Sequence, residues 1–385
     1  MVGIDAARGF ALIGMFAVHL MPAYNEDADR ATAAWMIFAG NASALFAVLA
    51  GIALAFMTGG ATPYTGDRMR RATVKIAARA LLLGLLTLVI NSVDLPVYNI
   101  LGYMALMFLL MIPLLRLPRV VLLVLGGGMT LLMPVVRYVL HVLVGAAGYH
   151  PNPSFVDMFT DPLGVLSTLS ITGVYPALTW WGFMCLGAGI GRFALQRAGS
   201  RLALIVTGLL VYAVTTAVSY VLVMQLGGYE IISSAFPGAT EDEVDEFVVF
   251  GPIGQLPTGG PGWLLAAAPH SNTPFALLIG TGFSLAAIGI FIFLSRSWSA
   301  LLRPLIDAGS MSTTLYVSHL VFVATMPDTV PGEALFTIQA LAALLFAMMW
   351  KVVSDQGPVE IVMAKVARAV STAAVPEKES APRGR

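Results

Sequence analysis

An all-α bundle of about ten membrane-crossing helices is the fold this sequence predicts, and three observations predict it. Hydrophobic residues fill 58% of the 385 positions and charged residues only 11%, with mean hydropathy +0.85. A soluble domain carries about 25% charged residues, so the chain belongs in a bilayer. Apolar stretches near the length needed to cross about 30 Å of hydrocarbon recur along the sequence. The loops between them alternate in sign, as they do when successive loops face opposite sides of a membrane.

Taken in order, the expected spans are 3–22, 33–58, 76–93, 98–115, 119–145, 172–193, 202–226, 273–295, 305–326 and 334–353. The basic set of connections is GDRMRRATVK (66–75), RLPR (116–119), GRFALQRAGSR (191–201), SRSWSALLRP (295–304) and the C-terminal tail. The opposite set is acidic or neutral: NEDADR (25–30), SVDLP (92–96), 146–171, 227–272 and MPDTVPG (326–332). The positive-inside rule puts the basic set and both termini in the cytoplasm. Asp5 spoils the basic leader of a signal peptide, so the first helix is expected to be a retained span.

The domain reading is one core over 1–355, an amphipathic segment over 356–371 and a polar tail over 372–385 that reads as disordered. Two outer loops, 146–171 and 227–272, are longer than a connection requires. Within the second, Thr240 and Glu243 have the spacing of a capping box and open a short acidic helix. That helix reads either as a solvated surface element or as a lid over an outward cavity. GPIGQLPTGGPG (251–262) reads as turns.

Other classes fall away. A net charge of zero offers nothing to nucleic acid. The single cysteine, Cys185, excludes a disulfide framework, and no HExxH or similar ligand spacing appears, so no metal is expected. Arginines number 17 against 4 lysines, a bias that points to a bacterial cytoplasmic (inner) membrane. Homo-oligomerisation stays open.

The first helix carries two residues that a plain span does not need, Arg8 and His19 in RGFALIGMFAVH (8–19). An ionisable residue at the centre of a bilayer helix costs a few kcal/mol on insertion scales. Eleven positions at 100° each come within about 20° of three full turns, so both side chains share one face, roughly 16 Å apart along the axis. Asp5, one turn below, is a partner for Arg8. The stripe is expected to face the protein interior. The competing structural readings are a snorkelling Arg8 and a hydrogen-bonded packing role for His19.

IDAARGFALIGMFAVH (4–19) resembles the opening span of membrane acyltransferases of the heparan-α-glucosaminide N-acetyltransferase and YeiB (DUF418) type. The Arg/His pair with ten residues between resembles the acyltransferase-3 family, whereas many YeiB-like proteins carry Asn where His19 stands. ALFAVLAGIALAF (44–56) and RALLLGLLTLV (79–89) are similar to the next two spans of the YeiB type. GVYPALTWWGFMCLGAGIGR (173–192), PHSNTPFALLIGTGFSLAAIG (269–289), AGSMSTTLYVSHLVF (308–322) and GPVE (357–360) carry the likeness nearly to the end.

The resemblance implies transfer of an acyl group, acetyl first, from cytoplasmic acyl-CoA to an extracytoplasmic sugar or glycolipid. Such chemistry needs a cation for phosphates, and the arginine fork suits phosphate. Arg8 meets that need, with Arg68, Arg70 and Arg71 as reinforcements, although topology alone would explain that basic loop. His19 is the expected base, and His319, at matching depth in its own span, is an orienting or acid partner, or else a packing histidine bonded to a backbone carbonyl. His270, Asn41 and Trp180 are expected at the acceptor, His270 otherwise capping its helix with Ser271 and Asn272. Asn41, Ser43, Tyr103 and Trp180 are candidate oxyanion donors. His150 reads as solvated, and Arg137 as snorkelling from the outer end of its span. The rival reading is a transporter of a small solute, with Gly126–Gly128 and Pro134 breaking the fifth span.

Overall fold

The computed structural model describes residues 1–144, 148–252, 257, 259–326 and 329–376. The tail beyond 376 and part of the 251–262 turn region lie outside the described residues. The chain forms α1 (Val2–Leu20), α2 (Ala33–Phe38), α3 (Asn41–Met57), α4 (Gly66–Ile90), α5 (Leu101–Met111) and α6 (Arg119–Val144). There follow α7 (Phe155–Thr160), α8 (Pro162–Ser167), α9 (Ala177–Ile190), α10 (Ala198–Gln225), α11 (Gly228–Ser233) and α12 (Glu241–Phe250). The remainder is α13 (Pro274–Leu294), α14 (Arg303–Ser310), α15 (Ser312–Thr325), α16 (Gly332–Trp350) and α17 (Pro358–Ala374). A two-residue antiparallel ladder, Tyr24–Asn25 with Arg30–Ala31, closes the turn after α1.

The protein is thus an all-α polytopic membrane protein. Among the described residues, seven helices are long and apolar enough to cross a membrane, and eight if the bent pair Pro162–Thr172 and Ala177–Ile190, which meet at 53°, is one span. The expected ten exceed this because two stretches are broken. Pro113 shortens α5 into a 3₁₀ turn, Ile112–Arg116. Met311 separates α14 from α15, with Ser312 opening the second helix. By contrast, Pro134 does not interrupt the fifth span, since α6 runs continuously through it.

Burial divides the bundle into an inside and an outside. The apolar windows of α1 and of the α2–α3 stretch are 61% and 72% buried within the molecule, whereas that of α10 is 17% buried. The central helices are therefore mostly enclosed by protein, and α4, α6, α10 and α16 turn Leu and Val faces outward, such as Leu81, Val124, Leu202 and Leu341. Acyl chains would cover those faces.

Small residues bring the central backbones together. A Cβ on Gly9 would lie 2.1 Å from the Leu305 carbonyl oxygen, and one on Gly309 would lie 1.8 Å from that of Asp5. α1 and α14 therefore cross in backbone contact, the close approach that small residues permit between membrane helices. At the other end of α1, Gly332 sits where a Cβ would meet the Leu20 carbonyl oxygen at 2.0 Å, which draws the start of α16 against α1. These contacts fix α1 against α14, which leads through Met311 directly into α15, and against the start of α16. α15 is capped in turn by Glu360 of α17, which accepts from the backbone N–H groups of Thr313 (2.7 Å) and Thr314 (3.2 Å).

On the acidic-loop side, α11 and α12 form a cap with its own apolar cluster around Ile232, Val244, Phe247 and Trp263. Thr240 and Glu243 make the expected capping box, each side chain bonding the other's backbone N–H.

Candidate active site

The register of α1, α15 and α16 sets three polar side chains in a row. His19 Nδ1 lies 2.7 Å from His319 Nε2, and His319 Nδ1 lies 2.9 Å from Gln339 Oε1. A carbonyl oxygen only accepts, so His319 carries its proton on Nδ1 and presents a lone pair at Nε2. His19 must then donate from Nδ1, which leaves His19 Nε2 as an unprotonated nitrogen. His319 has no solvent exposure and stacks on Phe16 at 4.3 Å, while its ring lies within 9° of the plane of the His19 ring, with centroids 5.0 Å apart, as the in-plane bond requires. The pair is therefore directional, with His319 buried behind and His19 in front.

His19 lines a cavity of about 690 Å³ on the acidic-loop side, together with Tyr98, Arg137, Tyr175, Glu246 and His270. Phe250 and Pro252, at the end of α12, close part of the same cavity. Phe250 packs against Tyr24 and Trp35, with ring centroids 6.3 and 5.9 Å apart. The acidic helix thus roofs the cavity as well as facing solvent.

His270 lies in a left-handed backbone conformation (φ 58°), with its Nδ1 buried and unpartnered among the described residues, and stands edge-on to Tyr175 at 5.5 Å. Burial pushes its imidazole pKa down to about 4. It does not cap α13: Thr273 does, accepting from the Ala276 N–H at 3.1 Å. Asn41 and Trp180 line a neighbouring cavity of about 570 Å³, which His270 also lines. Trp180 Nε1 donates to Asn272 Oδ1, and the Asn41 amide donates to the Ile37 carbonyl at 3.0 Å. Of the other candidate donors, Tyr103 Oη is buried with no hydrogen-bond partner among the described residues.

The opposite side of the bundle holds a third cavity, of about 250 Å³, whose charged lining is Arg8, Arg79 and Glu360. Arg8 donates to Asp5, as its spacing predicts, at 3.2 Å and to the Gly309 carbonyl at 3.3 Å. Arg79 Nε is buried without a partner among the described residues. Arg68, Arg70 and Arg71 do not line this cavity. Arg70 pairs with Asp67 at 3.6 Å on the surface, and Arg71 donates to the Val375 carbonyl at 3.1 Å.

Two sequence readings need correction. His150 is not simply solvated: it bridges Asp157 and Asp161, each at 3.1 Å, and ties α7 to α8. Arg137 does not snorkel. It is 2% exposed, and its guanidinium turns inward to donate to the carbonyls of Ile171 (2.6 Å), Ser271 (3.4 Å) and Gly173 (3.2 Å). Local sequence favours snorkelling near a helix end, but the folded 171–173 and 271 segments supply acceptors inside. Gln339 and Arg79 went unread as site residues, although each was visible as a lone polar group in an apolar run.

Fold and geometry together define a polytopic membrane protein with an oriented imidazole pair under a roofed cavity and an arginine-lined pocket on the opposite side. The model of the heparan-alpha-glucosaminide N-acetyltransferase catalytic domain matches residues 1–224, and the chain belongs to that family, which is membrane acetyltransferase-like. No curated protein matches the chain. His270, His319 and Gln339 lie beyond the matched segment, whereas Arg8, His19 and Arg137 lie within it.

Proposed function

We propose that this protein is a membrane acetyltransferase that moves an acetyl group from cytoplasmic acetyl-CoA to a sugar or glycolipid on the other side of the membrane. One observation carries the reading: the Gln339–His319–His19 row leaves His19 Nε2 unprotonated at the wall of a cavity large enough for a sugar. A base held in one tautomer by a second group, itself held by a third, is the arrangement that general-base catalysis uses.

In the reaction His19 Nε2 takes the proton of an acceptor hydroxyl or amine while that oxygen or nitrogen bonds to the acetyl carbon. The carbon–sulfur bond then breaks, its electron pair goes to the coenzyme A sulfur, and the imidazolium returns the proton there. Arg8 and Arg79 would meet the phosphates of the donor, and the unpartnered Arg79 Nε supports an anion at that pocket. Loop charge assigns the arginine pocket to the cytoplasmic side, where acetyl-CoA is made, and the His19 cavity to the outside. The roughly 16 Å between Arg8 and His19 along α1 suits a donor whose nucleotide end and thioester are separated by a long arm.

Purified protein in liposomes, given acetyl-CoA labelled in the acetyl group, should transfer label to a sugar acceptor and release free thiol. A folded protein that does neither with a broad panel of sugars and glycolipids removes the reading.

A further inference from the structure

We propose that Arg137 is the binding residue for an anionic group on the acceptor, a carboxylate or a phosphate. The proposal rests on the reading of the His19 cavity as the acceptor site. Arg137 and His19 line that same cavity. A guanidinium has five N–H donors. Three go to the carbonyls of Ile171, Ser271 and Gly173, which leaves two.

The charge itself is unanswered. Among the described residues no carboxylate lies within 4.0 Å of Arg137, although the side chain is almost fully buried. Glu246 lines the cavity too, but it sits exposed on α12 and makes no ion pair with Arg137. A buried cation held only by neutral carbonyls is costly. The three carbonyls hold the planar fork rigid, which lowers the ordering cost of a bidentate partner. A carboxylate or phosphate fits two N–H groups in one plane. The acceptor would thus be anchored by its charge at Arg137 and attacked at its hydroxyl or amine beside His19. Neutral sugars would lack the anchor.

The test compares glucose, glucuronate and glucose 6-phosphate binding to the purified wild-type protein in uncharged detergent, at constant ionic strength, by calorimetry. Charge-assisted hydrogen bonds predict that the two anions bind at least about tenfold more tightly than glucose. Arg137→Gln should abolish that preference, and Arg137→Lys should retain part of it. If Arg137→Gln does not fold, the wild-type comparison decides: equal affinity for glucose and both anions overturns the proposal. A preference that survives in folded Arg137→Gln overturns it as well. Repeating the titration in nanodiscs with phosphatidylglycerol or phosphatidylcholine separates the two sources of the anion. Competition by phosphatidylglycerol would assign Arg137 to an anionic glycolipid, and its absence to a soluble sugar. An anion preference without acetyl transfer would uphold Arg137 and remove the proposed reaction. Acetyl transfer to neutral and charged sugars alike would do the reverse.

Discussion

At the residue scale the proposed chemistry turns on which nitrogen of His19 carries a proton. Gln339 decides this at second hand, through His319, because its carbonyl oxygen accepts and cannot donate. His19→Ala should fold, still bind acetyl-CoA, and transfer acetyl about 10²–10⁴-fold more slowly, the usual cost of a lost general base. Single-turnover rates with labelled acetyl-CoA measure it; near-normal turnover would move the base elsewhere. Gln339→Leu removes only the acceptor that sets the tautomer. Its expected effect is a fall in kcat on the order of 10- to 100-fold with KM for acetyl-CoA unchanged, the range seen when an orienting partner of an imidazole is lost. A KM effect instead would make Gln339 a packing residue.

At the element scale, the crossing of α1 and α14 brings α15, which follows α14, alongside α1. Gly9→Val puts side-chain atoms where the Leu305 carbonyl already stands. Overpacking of this kind costs about 1–3 kcal/mol, so the variant should melt earlier in detergent and lose activity in step. An unchanged melting temperature would show that the helices have room to part. The His270 segment contributes a pH dependence. Its folded pKa of about 4 lies below the roughly 6.5 of a free imidazole, so between those values the unfolded chain binds a proton the folded one does not. Stability contributed by a neutral His270 is present above pH 6.5 and is lost as pH falls toward 4, by up to about 3 kcal/mol. Melting curves should therefore fall with acidification less steeply in His270→Gln than in wild type.

At the scale of the whole molecule, the charge alternation of the loops makes the orientation testable. A cysteine replacing Thr240 in a Cys185→Ser background should react with an impermeant reagent added outside cells, and one replacing Ser297 should react only after permeabilisation. The opposite result would invert the protein and its proposed reaction.

Much of this was legible in the chain. Hydropathy and loop charge determined the class, because a bilayer demands long apolar runs and leaves charge only at their ends. Helical phase put Arg8 and His19 on one face, and span depth put His319 level with His19, since both follow from 1.5 Å and 100° per residue. Spacing likewise predicted the Thr240–Glu243 box, a local interaction within one turn. What needed the tertiary structure is everything fixed by contacts between distant segments. The 2.7 Å bond between His19 and His319 spans 300 positions and depends on glycine crossings whose partners periodicity does not name. Arg137 faces inward because the 171–173 and 271 backbones meet around it, and Arg71 lies away from Arg8 because α17 takes it up. A helix declares its own faces through its period; which face meets which is decided only when the backbones pack and each buried polar group finds a partner.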